Sequence, residues 1–224
     1  YTKVLRNDSV TAKGALKSAS NVRMMAVEPY SFGNVAWFRS DLLPHHINEY
    51  LNLLAADNRA CLISASMQEQ LGVKVGDTIS ITWYNQYPMD VIVFGVIDYW
   101  PSINPLPEAV GAPEPYFMVT NLAYVQRCMK MEPYKLWIKK APGVTSEEIY
   151  DSIQENKIRY VSLSDASQKI VEAKNDPLVN GTNGMLTLGF LITMIVSFIG
   201  FLIYWVLNVK SRVLQFGILR SMGM

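Results

Sequence analysis

Few side chains in this sequence have the types and spacing that metal binding needs. His45 and His46 are neighbours, so on a helix they diverge by about 100° and cannot share a metal as an i, i+4 pair does. The 224 residues contain no third histidine. The pair therefore predicts a solvated helix start, and no metal site.

The short motifs of hydrolase and nucleotide chemistry are also absent from the sequence. It has no Gly-x-Ser-x-Gly elbow, no His-Glu-x-x-His motif and no Gly-x-x-x-x-Gly-Lys-Ser/Thr phosphate loop. Asp77 and Asp98 stand where ordinary turn-flanking acids are found. We expect a chain that is not an enzyme, uses no cofactor and does not itself hydrolyse ATP.

The two cysteines, Cys61 and Cys128, both stand beside apolar residues, in Ala-Cys-Leu-Ile and Arg-Cys-Met. This pattern predicts two small buried thiols. A single disulfide between them stays open, because the sequence does not establish how close they are.

The distribution of charge separates the chain into parts. The formal net charge is +1, which gives no electrostatic reason to expect nucleic acid as a partner. Charged residues are spread through residues 1–176 and absent from Pro177 to Val209. The chain opens at Tyr1 without a signal-peptide pattern, and we interpret it as part of a longer protein.

The segment Met185–Leu207 is typical of a transmembrane helix. Its 23 residues include no charge and no proline, and at about 1.5 Å per residue they can span a hydrocarbon core of roughly 30 Å. The flanking basic residues favour a cytoplasmic C-terminus, because cytoplasmic flanks of membrane helices carry more lysine and arginine. Two such residues precede the segment and three follow it. These are Lys169, Lys174, Lys210, Arg212 and Arg220.

Small and hydroxylated residues mark one side of this predicted helix. At about 100° per residue they fall within an arc of about 80°, and such a face lets another membrane helix approach closely. The predicted packing face consists of Gly189, Thr193, Ser197 and Gly200. It implies other transmembrane helices as neighbours.

The first 176 residues read as a mixture of short helices and strands. Pro44–Asp57 has apolar residues at helical spacing, and Thr78–Tyr84 with Met89–Tyr99 predicts a β-hairpin. A further short strand is predicted at Val161–Leu163. The pattern indicates an α+β domain at 1–176, a linker and membrane helix at 177–209 (core 185–207), and a following segment at 210–224.

Pro101–Pro115 contains five prolines and predicts an irregular excursion between strands. Trp100 and Tyr116 stand at its edges. Two interpretations stay open, a contact surface for a peptide, lipid or lipoprotein and a plain connecting loop.

Three stretches resemble a known family. Lys210–Met224 (KSRVLQFGILRSMGM) is similar to the segment that follows a transmembrane helix in FtsX-like (MacB-type) ABC-transporter permeases. Ser64–Thr78 (SASMQEQLGVKVGDT) resembles the helix–turn–strand of the MacB-type extracytoplasmic domain, and Tyr134–Lys139 resembles a strand of large Gram-positive members.

The resemblance implies a mixed-sheet extracytoplasmic domain in a bacterial cell membrane, with a separate ATP-binding cassette ATPase and membrane lipid as partners and no identified substrate. It also implies that the segment after the helix couples ATPase movements to the external domain. Gln215 departs from the family pattern, where an acidic residue is common. The implied coupling residues are Arg212, Gln215, Phe216, Gly217, Ile218, Leu219, Arg220 and Gly223.

Two other interpretations remain. The basic residues after the helix also suit a simple positive-inside anchor. The whole chain also suits a single-pass receptor or sensor whose ectodomain binds a ligand. A permease predicts further apolar spans after Met224, whereas a sensor predicts a signalling domain.

Overall fold

The structure, a computed structural model, describes residues 1–84, 87–107, 113–129 and 132–223. The chain divides into two compact units, Tyr1–Gly143 and Val144–Met224.

The described residues of the first unit form seven strands and four helices. The strands form one mixed sheet in the order β2-β6-β3-β5-β4-β1-β7. Its elements, in chain order, are β1 (Thr2–Lys13), β2 (Ser18–Val27), α1 (Pro29–Val35), α2 (Ile47–Ala56), β3 (Ala60–Ile63), α3 (Ala65–Leu71), β4 (Thr78–Thr82), β5 (Met89–Val96), β6 (Phe117–Asn121), α4 (Leu122–Cys128) and β7 (Lys135–Trp137).

Strand β1 connects the two ends of this sheet. It pairs antiparallel with β2 along most of its length, with β4 near its C-terminal end and with β7 near its start. Ala12 lies opposite both Ala19 of β2 and Ile81 of β4. The pairings therefore form a closed circuit of six strands, β1-β2-β6-β3-β5-β4, with β7 added at the start of β1.

The sheet is apolar on both faces because helices cover both faces. Met24 and Ala26 belong to one core, together with residues of α3 and α4. Met25 and Val27, the alternate residues of β2, belong to a second core with residues of α1 and α2. The run 24–27 is fully buried, and period-2 alternation divides it between the two cores.

Local sequence signals set the ends of several helices. The Ser64 hydroxyl accepts a hydrogen bond from Met67 N at 3.2 Å and begins α3, and Gly72 ends it with φ +67°. Asn121 caps α4 in the same way through Ala123 N. The helix predicted over Pro44–Asp57 is confirmed at Ile47–Ala56, and His46 caps it through Nδ1.

Two expectations about the large domain were wrong or incomplete, and a third was confirmed. Val161–Leu163 forms no strand, because its side chains are exposed and no strand lies beside it in the described chain. Cys61 is buried but Cys128 is exposed, so the prediction of buried thiols holds for one of them, and both are free. The predicted hairpin is confirmed by β4 and β5, while residues 85 and 86 of its turn lie outside the described residues.

The second unit is helical. It contains α5 (Ser146–Glu155), α6 (Ala166–Lys174) and α7 (Pro177–Ser221). Thr145, Asp165 and Asp176 each accept a hydrogen bond from the first turn of the helix that follows. The 45 residues of α7 give a length of about 68 Å. The predicted α+β fold with a mixed sheet and one long apolar helix is confirmed.

Candidate functional site

Helix α7 contains the predicted membrane segment Met185–Leu207. It belongs to the one helix in the described chain that is long and apolar enough to cross a membrane, by length and composition. Its apolar side chains are exposed all round, from Leu202 at 41% to Met185 at 80%. An apolar surface of this extent needs lipid or other helices around it.

The predicted packing face lies open along α7. The Thr193 hydroxyl donates to Gly189 O at 3.1 Å and to Phe190 O at 2.8 Å, so it is satisfied within its own helix. A Cβ added at Gly189 or Gly200 would meet nothing within 4 Å. The face is a shallow notch, and its role in packing stays a prediction.

The predicted coupling residues lie in the last three turns of the same helix, which continues without a break to Ser221. Arg212 Nε donates to Asn208 Oδ1 at 3.3 Å, one turn back toward the apolar segment. At about 100° per residue, Arg212, Phe216 and Leu219 fall within an arc of about 60°.

Ile218 lies on the other side of α7, about 100° from Leu219. Gly223, with φ +82°, lies just beyond the helix. The predicted coupling residues therefore do not share one surface. Phe216 and Leu219 lie on one face of α7, whereas Ile218 and Gly223 lie outside that face. Their coupling role itself stays a prediction.

The start of the proline-rich excursion is held in place by one buried aromatic ring and two side-chain hydrogen bonds. Trp100 is buried and stacks on Phe32, with ring centroids 5.8 Å apart and planes at 9°. Arg6 Nη1 donates to Ser102 O at 3.1 Å, and Arg23 Nη1 donates to Asn104 O at 3.4 Å. Trp100 thus anchors the excursion in the second core, and residues 108–112 lie outside the described residues.

Sequence reasoning missed a cleft between α1 and α2. It has a volume of about 260 Å³, and none of the residues that line it carries a charge. They are Pro29, Tyr30, Gly33, Asn34, Asn48, Leu51, Asn52 and Ala55. The i, i+4 spacing of Asn48 and Asn52 on the polar side of α2 was the available signal.

A second cleft, of about 350 Å³, lies where the β1–β2 turn meets the end of α3. It is lined by apolar atoms of Leu71 and Val73 together with the charged residues Lys17 and Asp77. Asp77 is already engaged, since its Oδ2 accepts from Lys74 N at 2.8 Å. The Asp77 carboxylate therefore stabilises the turn before β4.

The cysteines differ in environment. Burial raises the pKa of the Cys61 thiol above the range of biological pH, so this thiol stays protonated and inert. Cys128 is exposed, and the pKa of neighbouring Tyr124 is raised by burial and then by a hydrogen bond with the Cys128 thiol. No group of three metal-ligating side chains occurs in the part of the chain that the structure describes.

The sequence matches no protein-family model and no curated protein. Its fold has relatives among solved structures.

The chain is similar to extracytoplasmic domains of bacterial transporters. One neighbour is the extracellular domain of the ABC-type transporter YknZ from Gram-positive bacteria, at 16% identity and TM-score 0.34, covering 59% of each chain. Another is the periplasmic region of MacB from Actinobacillus actinomycetemcomitans, at 12% identity and TM-score 0.40, covering 70% of this chain and 64% of that one.

A third neighbour is a domain of a protein described as a permease from Porphyromonas gingivalis, at 18% identity and TM-score 0.42, covering 72% of this chain and 64% of that one. The chain thus spans about three fifths of the length of these solved chains. The likeness is distant.

Proposed function

We propose that this chain is the force-receiving part of an FtsX-like (MacB-type) ABC-transporter permease. The first unit would lie outside the cytoplasm, α7 would cross the membrane, and the last turns of α7 would contact a partner ATPase.

The observation that carries the proposal is the continuity of α7. Fourteen residues of unbroken helix, about 21 Å, follow Leu207 before the helix ends at Ser221. This stretch carries the Gly-Ile-Leu-Arg sequence that resembles the family. Because a straight helix transmits displacement along its axis, a partner that moves Phe216 and Leu219 also moves the apolar span.

Charge supports the same arrangement. Lys210, Arg212 and Arg220 follow the apolar segment on exposed helix surface, where they suit the headgroups of a cytoplasmic leaflet. Arg212 and Arg220 flank Phe216 and Leu219, so apolar contact with a groove and pairing with acidic groups can occur on one side of α7.

A charge placed on this face tests the coupling role. In the full-length protein with its ATPase, Leu219→Asp should abolish substrate-stimulated ATP hydrolysis while basal hydrolysis persists, because a carboxylate would have to enter an apolar contact. The readout is the ratio of stimulated to basal rate in nanodiscs.

Ser221→Asp is the matched control, since it adds the same charge about 160° away around the helix. It should retain stimulation. Unchanged stimulation in Leu219→Asp, with normal assembly, would contradict the coupling role.

A further inference from the structure

Three asparagines, Asn34, Asn48 and Asn52, line the cleft between α1 and α2 from both helices, and all three are exposed to solvent. Tyr30 also lines the cleft, with 85% of its surface exposed. Buried Leu51 lies among its apolar residues. The site therefore combines an apolar wall, one aromatic ring and several neutral hydrogen-bonding groups.

Gly33 sets how closely the two helices approach. A Cβ at this position would lie 2.5 Å from Asn48 Oδ1 and 3.1 Å from Leu51 Cδ1. Glycine is unfavourable inside a helix, and its backbone here has an ordinary negative φ that any residue adopts. We therefore attribute the glycine to the space that the Asn48 carboxamide occupies against α1.

The carboxamides have unused hydrogen-bonding capacity. Within the described residues, no protein group hydrogen-bonds the side-chain amides of Asn34, Asn48 or Asn52. Each can donate two hydrogen bonds and accept at the oxygen. A ligand that matches three such groups must both donate and accept, and the uncharged lining favours a neutral ligand.

A saccharide ring fits these requirements. Its hydroxyl groups donate and accept around the rim, and its C–H faces can pack on an exposed aromatic ring such as Tyr30. The volume, about 260 Å³, is below the roughly 300–1,000 Å³ typical of drug-sized ligands, so it suits one ring and its substituents.

We propose that the cleft between α1 and α2 binds a neutral saccharide, with Asn34, Asn48 and Asn52 holding its hydroxyl groups and Tyr30 packing on one face of the ring. The site is independent of the coupling role of α7.

The test uses the whole chain in nanodiscs and two neutral probes, tri-N-acetylchitotriose and maltotriose. Titration with at least one should shift the side-chain amide signals of the three asparagines in NMR spectra. Asn48→Ala and Asn52→Ala should each weaken binding roughly fivefold, as expected for lost hydrogen bonds. Gln168→Ala, which removes an exposed carboxamide from α6, is the matched control and should bind normally.

Gly33→Ala tests the close approach of the two helices. The added methyl would displace the Asn48 carboxamide and crowd buried Leu51 at 3.1 Å, so binding should weaken and the melting temperature should not rise. Three outcomes would overturn the proposal: no shift with either probe, equal binding of tri-galacturonate, or binding of a capped tetra-alanine peptide at the same amides in place of the sugars.

Discussion

At the residue scale, the Ser64 hydroxyl hydrogen-bonds to two secondary-structure elements at once. Its oxygen accepts from Met67 N at the start of α3 and from Phe117 N at the start of β6, both at 3.2 Å. The side chain is buried, with the residue 3% exposed. Neither backbone donor can turn to water if the hydroxyl is lost, so the helix cap and the strand depend on the same atom.

Ser64→Ala should therefore cost more than an ordinary cap. We expect the free energy of unfolding of the first unit to fall by about 2 kcal/mol, because two buried N–H groups lose their acceptor. Chemical denaturation followed by circular dichroism measures it. Ser18→Ala, at an exposed position, should change stability little, and a similarly small effect in Ser64→Ala would contradict the assignment.

At the element scale, α7 carries the predicted packing face of small residues with no neighbour in the described chain. Gly189 and Gly200 have open space where a side chain would stand. If other helices of the full-length protein use this notch, added bulk matters only in the assembled membrane domain, where close backbone approach is needed.

Gly200→Leu should lower the yield of correctly assembled full-length protein, measured by size-exclusion chromatography in mild detergent. Leu202→Trp adds bulk on the opposite side of α7 and should have a smaller effect. Equal yields from the two variants would argue against the packing face.

Periodicity within single elements predicted the apolar face of α2 and the hairpin of β4 and β5. Strands β1 and β2 were not predicted. In β1 the polar run Asn7–Ser9 interrupts the alternation of apolar and polar residues that would predict a strand. A register shift between Asn7 and Val10 lets the strand accommodate this run.

The cleft between α1 and α2 was also beyond sequence reasoning. Asn34 and Asn48 lie on different helices, and their meeting depends on the close approach at Gly33. Such an approach is a property of packing between elements, which periodicity within one element does not report. The predicted coupling residues could be named from the sequence, and the unbroken helix α7 adds that Arg212, Phe216 and Leu219 share one of its faces.

At the scale of the whole molecule, the proposed orientation places the first unit and the end of α7 on opposite sides of a membrane. The native cysteines make this measurable, because Cys128 is exposed and Cys61 is buried. A membrane-impermeant maleimide added to intact cells that carry the full-length protein should label Cys128.

In a Cys128→Ser background, Ser221→Cys should react only after the cells are permeabilised. Cys61 should stay unlabelled throughout, since burial keeps its thiol protonated and inaccessible. Labelling of Ser221→Cys in intact cells would reverse the proposed orientation.

The pairing of β1 with β7 determines how the first unit can be inserted into another protein or circularly permuted. Thr2 lies opposite Trp137 across an antiparallel pair, so their Cα atoms are about 5 Å apart. Residues near the two ends of the unit thus lie side by side, while the closed circuit of strands holds the rest together. A unit with adjacent ends can be spliced into a loop of a host protein, or closed by a short linker and reopened at the exposed β1–β2 turn around Leu16, without breaking a strand pair.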